Sequence, residues 1–266
     1  MSKKARSIKN FFIVAAPILA SSIFGISPVK AATLAFSNSE VEFTNFSQAA
    51  SNVGTFTEAD TLAIGKGGMA VAIAQAEAVF VIEPAEAFNS SLSLALGESQ
   101  DYLAVAESQA SVIGNFDIEA NTNFSLDFLA DLELVTSIDN PPKENARASG
   151  EISFALVDTQ NNDVLEFFNL VGNIVTEGDN DFVGLKQSDN VILSDIFSAP
   201  GFGGLEEFLA VSIEGSLERY FADETTVALV EVKRNRARVT APEPSASLAL
   251  LISSGVVWLV LKRRSK

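Results

Sequence analysis

The chain has no cysteine, no histidine and a single tryptophan among its 266 residues. Without cysteine there is no disulfide to staple the fold, and no thiol to act as nucleophile or soft-metal ligand. Without imidazole, Ser-His-Asp and Cys-His catalysis are excluded, together with histidine-bound zinc or iron. The chemistry left is that of carboxylates. A glycoside hydrolase needs only two of them across a cleft, but sugar sites usually add aromatic platforms. Here Trp258 lies in a C-terminal apolar run, and only Tyr102 and Tyr220 stand elsewhere. These shortages argue against an enzyme.

Positive charge is also scarce between the two ends. Of 18 Lys and Arg, five lie at or before Lys30 and four at or after Lys262; of 34 acids only Glu243 falls outside Ala32 to Thr240. The central body therefore holds nine cations against 33 acids, a net charge of −24. Such a surface repels phosphate backbones and anionic lipid, so nucleic acid is not an expected partner, and it attracts divalent cations.

What is present is, first, a pair of targeting ends. Lys3, Lys4, Arg6 and Lys9 precede a mostly apolar stretch from Phe11 to Ile26, then Val29-Lys30-Ala31. These are the three regions of a secretory signal peptide over residues 1–31, for which signal peptidase is the partner. The small residues Val29 and Ala31 place the cut after Ala31, with Ala32 as the neighbouring alternative. At the other end, residues 241–266 carry Pro242-Glu243-Pro244, an apolar run, and Lys262-Arg263-Arg264. The prolines predict an extended, exposed peptide. The 17 residues from Ser245 to Leu261 form a helix of about 25 Å at 1.5 Å per residue, against roughly 30 Å of hydrocarbon. Such a span crosses the inner membrane with some thinning, its basic end snorkelling and staying in the cytoplasm.

This order of motif, short helix and basic terminus resembles the PEP-CTERM sorting signal of bacterial exported proteins. The resemblance covers Pro242, Glu243, Pro244, the helix to Leu261 and the basic stop Lys262, Arg263 and Arg264, about a tenth of the chain. It implies a membrane-tethered intermediate, processing at the tail by an exosortase-type enzyme, and association with the cell surface and exopolysaccharide. It concerns address and leaves the body unassigned.

The body, residues 32–240, reads as all-β. Phe124, Leu126, Phe128, Ala130, Leu132 and Leu134 alternate with mostly polar residues, as do Leu209, Val211, Ile213 and Leu217, and Ile152, Phe154 and Leu156. Period two is the pattern of a half-buried strand. Turn chemistry falls at Asp139-Asn140-Pro141-Pro142, Gln160-Asn161-Asn162-Asp163, Glu177-Gly178-Asp179-Asn180-Asp181 and Gly201-Phe202-Gly203-Gly204. The expectation is a β-sandwich of many antiparallel strands. Ala70 to Ala78 alternate with residues that are themselves largely apolar, which predicts a central strand covered on both sides, with a helix somewhere between Met69 and Ile113 as the competing reading. Thr226 to Val232 reads as the last strand, after which Lys233, Arg234, Arg236 and Arg238 begin a solvated tether.

Two motifs invite chemistry. Gly65-Lys66-Gly67-Gly68 lacks the spacing of a phosphate loop and reads as a turn. Glu177, Asp179, Asn180 and Asp181 place hard oxygen ligands in one short loop, so calcium is the cofactor they would suit, although the EF-hand spacing is missing. The expected function is that of a non-catalytic exported surface or matrix protein. The alternatives are a calcium-dependent glycan- or protein-binding module and, third, a carboxylate-based glycan hydrolase.

Overall fold

The computed structural model describes residues 32–176, 178 and 180–241. They form twelve strands: β1 (Ala32–Thr44), β2 (Asn52–Gly65), β3 (Met69–Val81), β4 (Glu86–Glu98), β5 (Tyr102–Ile118), β6 (Thr122–Ser137), β7 (Asn145–Asp158), β8 (Val164–Thr176), β9 (Phe182–Gln187), β10 (Val191–Gly201), β11 (Glu206–Phe221) and β12 (Thr225–Ala241). No described residue is helical. The strands make two six-stranded sheets, ordered β10-β11-β6-β1-β4-β3 and β2-β5-β12-β7-β8-β9. Every pairing is antiparallel. The fold is all-β and sandwich-like, as the alternation predicts.

Side-chain period two decides which face of each strand enters the core. On β6, Phe124, Leu126, Phe128, Ala130, Leu132 and Leu134 are buried while Asp127 is exposed. The phenylalanines of the two sheets meet at the centre. Phe128 contacts Phe154 edge-on at 5.0 Å, Phe154 stacks on Phe168 at 5.1 Å, and Phe116 lies 4.9 Å from Phe124. These rings are committed to packing, each pair adding about 0.5–1.5 kcal/mol beyond area burial.

The interior is zoned along the strands. A large-residue core fills one part, and a small cluster of Ala35, Ala95, Ala104, Ala146, Ala237, Tyr102 and Val239 fills another. Buried polar side chains add a third region. Ser91 and Ser93 both bond Ser108 Oγ, at 2.8 and 2.9 Å, and Asn235 Nδ2 donates to Ser39 Oγ at 2.9 Å. Lys233 and Glu231 belong to the same polar region and are fully buried.

Two expectations are corrected. The alanine-rich strand is β3, which lies at the edge of its sheet and pairs only with β4. Its alanines are half-buried, while Met69, Ile73 and Val79 on the other face are exposed. Apolar residues on both faces do not require cover on both faces. The last strand does not stop at Val232, because β12 runs to Ala241 at the middle of its sheet. Lys233 points inward and Arg234, Arg236 and Arg238 point outward, so this basic run is a strand and not a tether.

The registers gather both ends of the described sandwich at one end of the molecule. Ala32 pairs with Glu98 and Ala241 with Tyr102, which also pairs with Gly65. The connections 66–68, 99–101, 138–144, 177–181 and 202–205 lie at this end too.

Candidate functional site

The outward face of the second sheet collects four of the body's five arginines. Two rows of cross-strand neighbours run across it. One row passes through Glu58, Gln109, Arg234, Glu151 and Val171; the next passes through Asp60, Glu107, Arg236, Ser149, Asn173 and Phe182. Arg238 and Arg147 stand opposite each other in the row beyond. Four of the nine body cations therefore share one sheet face. They come from two adjacent strands whose outward residues alternate with buried ones.

The two rows enclose a cleft of about 530 Å³, lined by residues of β2, β5, β12, β7, β8 and β9. Its guanidinium groups are held through Nε. Arg147 Nε donates to Asn173 Oδ1 at 3.0 Å, Arg234 Nε to Gln109 Oε1 at 3.1 Å, and Arg236 Nε lies 3.0 Å from Glu107 Oε1. Asn169 Nδ2 holds Glu151 Oε1 at 3.0 Å, and Asn173 Nδ2 donates to the Asn180 carbonyl at 2.8 Å. Each planar group is anchored by a neighbour, which fixes its orientation before any ligand arrives. Phe182, 47% exposed, supplies an apolar surface at the margin.

The lining is mixed in sign, three arginines facing Glu58, Asp60, Glu107 and Glu151. Donor forks beside carboxylate and amide acceptors suit a ligand that both gives and accepts hydrogen bonds along its length. A uniformly anionic polymer would meet the four carboxylates. The opposite outer face, on the first sheet, differs. There burial raises the carboxyls of Glu40, Asp131 and Glu133, and repulsion adds to it, from Asp131 at Glu40, from Glu214 at Asp131 and from Glu40 at Glu133. Near the far end, Glu166 is lowered. Its burial works against that, but hydrogen bonds from Ser188, Asn190 and Arg219 outweigh it.

Of the site residues expected from sequence, Val29, Ala31, Pro242, Glu243, Pro244, Lys262, Arg263 and Arg264 lie outside the described residues, as do Glu177 and Asp179. The helix expected over 245–261 lies outside them too. Asn180 and Asp181 are described. The Asn180 carbonyl receives Asn173, and Asp181 Oδ1 accepts from the Val175 amide at 2.8 Å, so both organise the β8–β9 connection. Among the described residues no group of three His, Cys, Asp or Glu is arranged to hold a metal ion.

The cleft went unrecognised in the sequence because its parts are spread from Glu58 to Arg236. The one local signal was the alternation Arg234, Arg236, Arg238, which is period two with charge on one face. The fold and site define a two-sheet, all-antiparallel β domain with a polar, arginine-bearing cleft on one sheet. No family model, no curated protein and no solved structure matches this chain.

Proposed function

We propose that the protein is a non-catalytic, exported surface or matrix component that binds extracellular polysaccharide through the cleft on its second sheet. The observation that carries this reading is the cleft's lining, in which Arg147, Arg234 and Arg236 donate beside Glu58, Asp60, Glu107 and Glu151 as acceptors. Sugar hydroxyls are donors and acceptors at once, and planar fork-shaped partners bind adjacent hydroxyls in pairs. Phe182 offers one apolar platform for a sugar face, partly answering the shortage of Trp and Tyr. The cleft is open and crosses six strands, which fits a length of polymer better than a small molecule.

Export and sorting rest on the terminal motifs. The signal peptide delivers the chain across the membrane, the span over 245–261 holds it, and an exosortase-type enzyme acts at Pro242-Glu243-Pro244. Intact mass and terminal sequencing of protein recovered from the cell surface test this directly. A product beginning near Ala32 and ending near Pro244 supports it, and retention of Lys266 overturns the processing step.

Calorimetry of the purified chain against the native cell's extracellular polysaccharide tests the binding. Saturable binding that falls in the Arg234→Ala/Arg236→Ala variant is expected. Each lost charged hydrogen bond costs about 1.5–3 kcal/mol, so the double variant should weaken binding by well over tenfold. No heat of binding, or equal binding by the variant, rejects the assignment. The same titration with and without calcium separates this reading from a calcium-bridged one.

A further inference from the structure

The end of the sandwich that gathers Ala32 and Ala241 carries exposed apolar side chains at two of its connections. The β10–β11 connection carries Phe202 and Leu205, 41% and 47% exposed. Its Gly203 and Gly204 have φ of +84° and +111°, and a Cβ on either would meet nothing within 4 Å, so the outer side of the loop is open. On the other margin, Ile64 and Met69, 47% and 53% exposed, flank the β2–β3 turn. The opposite end exposes apolar side chains too, Val81, Ile82 and Val164, among the acids Glu83, Glu119, Asp163, Asp189, Asp223 and Glu224, so it is the chain's path that tells the two ends apart.

We infer that the end holding Ala241 rests on a lipid bilayer, with Phe202, Leu205, Ile64 and Met69 dipping into its interface. The inference rests on the reading of residues 245–261 as a membrane span. Geometry links the two. From Ala241 to Ser245 is four residues, which reach about 14 Å at most when fully extended. The first residue of the span and the end of β12 are therefore held close together. The opposite end lies a strand length away, about 50 Å for the 16 residues of β6. A span that leaves from Ala241 thus presents this end to the lipid and keeps the opposite end in water. Because the body carries −24, contact through apolar side chains in a neutral bilayer is favoured over attraction to anionic lipid.

The absence of cysteine makes the test direct. Single Phe202→Cys, Ile64→Cys and Asp223→Cys variants of the full chain carry an environment-sensitive fluorophore. They are reconstituted into phosphatidylcholine vesicles containing a nitroxide-labelled lipid quencher. Loss of emission at positions 202 and 64, with position 223 unchanged, is the expected result, and it persists at high salt. Equal emission at all three positions in protein that floats with the vesicles overturns the docking while leaving the span intact. Protein that fails to float with the vesicles overturns the span, and the docking with it.

Discussion

Lys233 Nζ lies 3.9 Å from Glu231 Oε1 on the inward face of β12, with neither side chain exposed, and donates to the Asn89 carbonyl at 2.6 Å. Asn89 Nδ2 in turn holds Glu231 Oε2. Burial of two charges is costly, and it is compensated here only while both partners are present. Replacing Lys233 alone with Met leaves a buried carboxylate, and the expected loss is about 3–5 kcal/mol. The double change Glu231→Leu/Lys233→Met removes both and is expected to be near neutral or stabilising. Urea midpoints for the three proteins check this.

The same pair sets the pH dependence of stability. Burial pushes the Glu231 carboxyl up to about 7 and the Lys233 ammonium down to about 8. Above the ordinary carboxylate range the folded state holds a proton on Glu231 that the unfolded chain releases, so stability falls as pH rises to about 7. Between about 8 and the ordinary lysine value of 10.5 the folded state holds fewer protons at Lys233, so stability rises again with pH. Glu40, Asp131 and Glu133, raised chiefly by burial, reinforce the fall on the acid side. A shallow minimum between about 7 and 8 is expected in melting temperature against pH, and it should vanish in the double variant.

Gly97 faces Tyr102 so closely that a Cβ there would lie 2.0 Å from the ring, which is itself buried. Gly97→Ala is expected to cost about 1–3 kcal/mol by forcing the ring or strand aside. Gly54→Ala meets only Ile113 Cβ at 4.0 Å and is expected to be nearly silent. Thermal melts of the two variants distinguish a packing requirement from a general intolerance of alanine in these strands.

Arg234 and Arg236 serve the cleft and not the core. Arg236 is about half exposed, and its ion pair with Glu107 is a surface one, worth about 0–1 kcal/mol. Arg236→Ala should therefore leave the urea midpoint almost unchanged while weakening polysaccharide binding. A matched loss of stability would place the residue in the fold instead.

Strands whose apolar and polar residues alternate cleanly were legible, as β6 and β11 show. Legibility failed where the alternation did not track solvent. β3 alternates alanine with larger apolar residues, and nothing local reveals that it sits at an edge. The second half of β12 keeps period two, but its inward positions include Lys233 and Asn235. A polar residue on the core face reads as the end of a strand unless the partners that bury it are known, and Asn89 and Ser39 come from distant strands. The cleft was hidden for a related reason, since residues as far apart in the chain as Asp60 and Phe182 fall on one row only through strand order.

Backbone amide hydrogen exchange on the full chain, with and without the native extracellular polysaccharide, tests the site assignment most directly. Added protection confined to the middle of β5, β7 and β12, around Glu107, Ser149 and Arg236, is the predicted result. Protection confined to the first sheet, or no change at saturating polysaccharide, would contradict it.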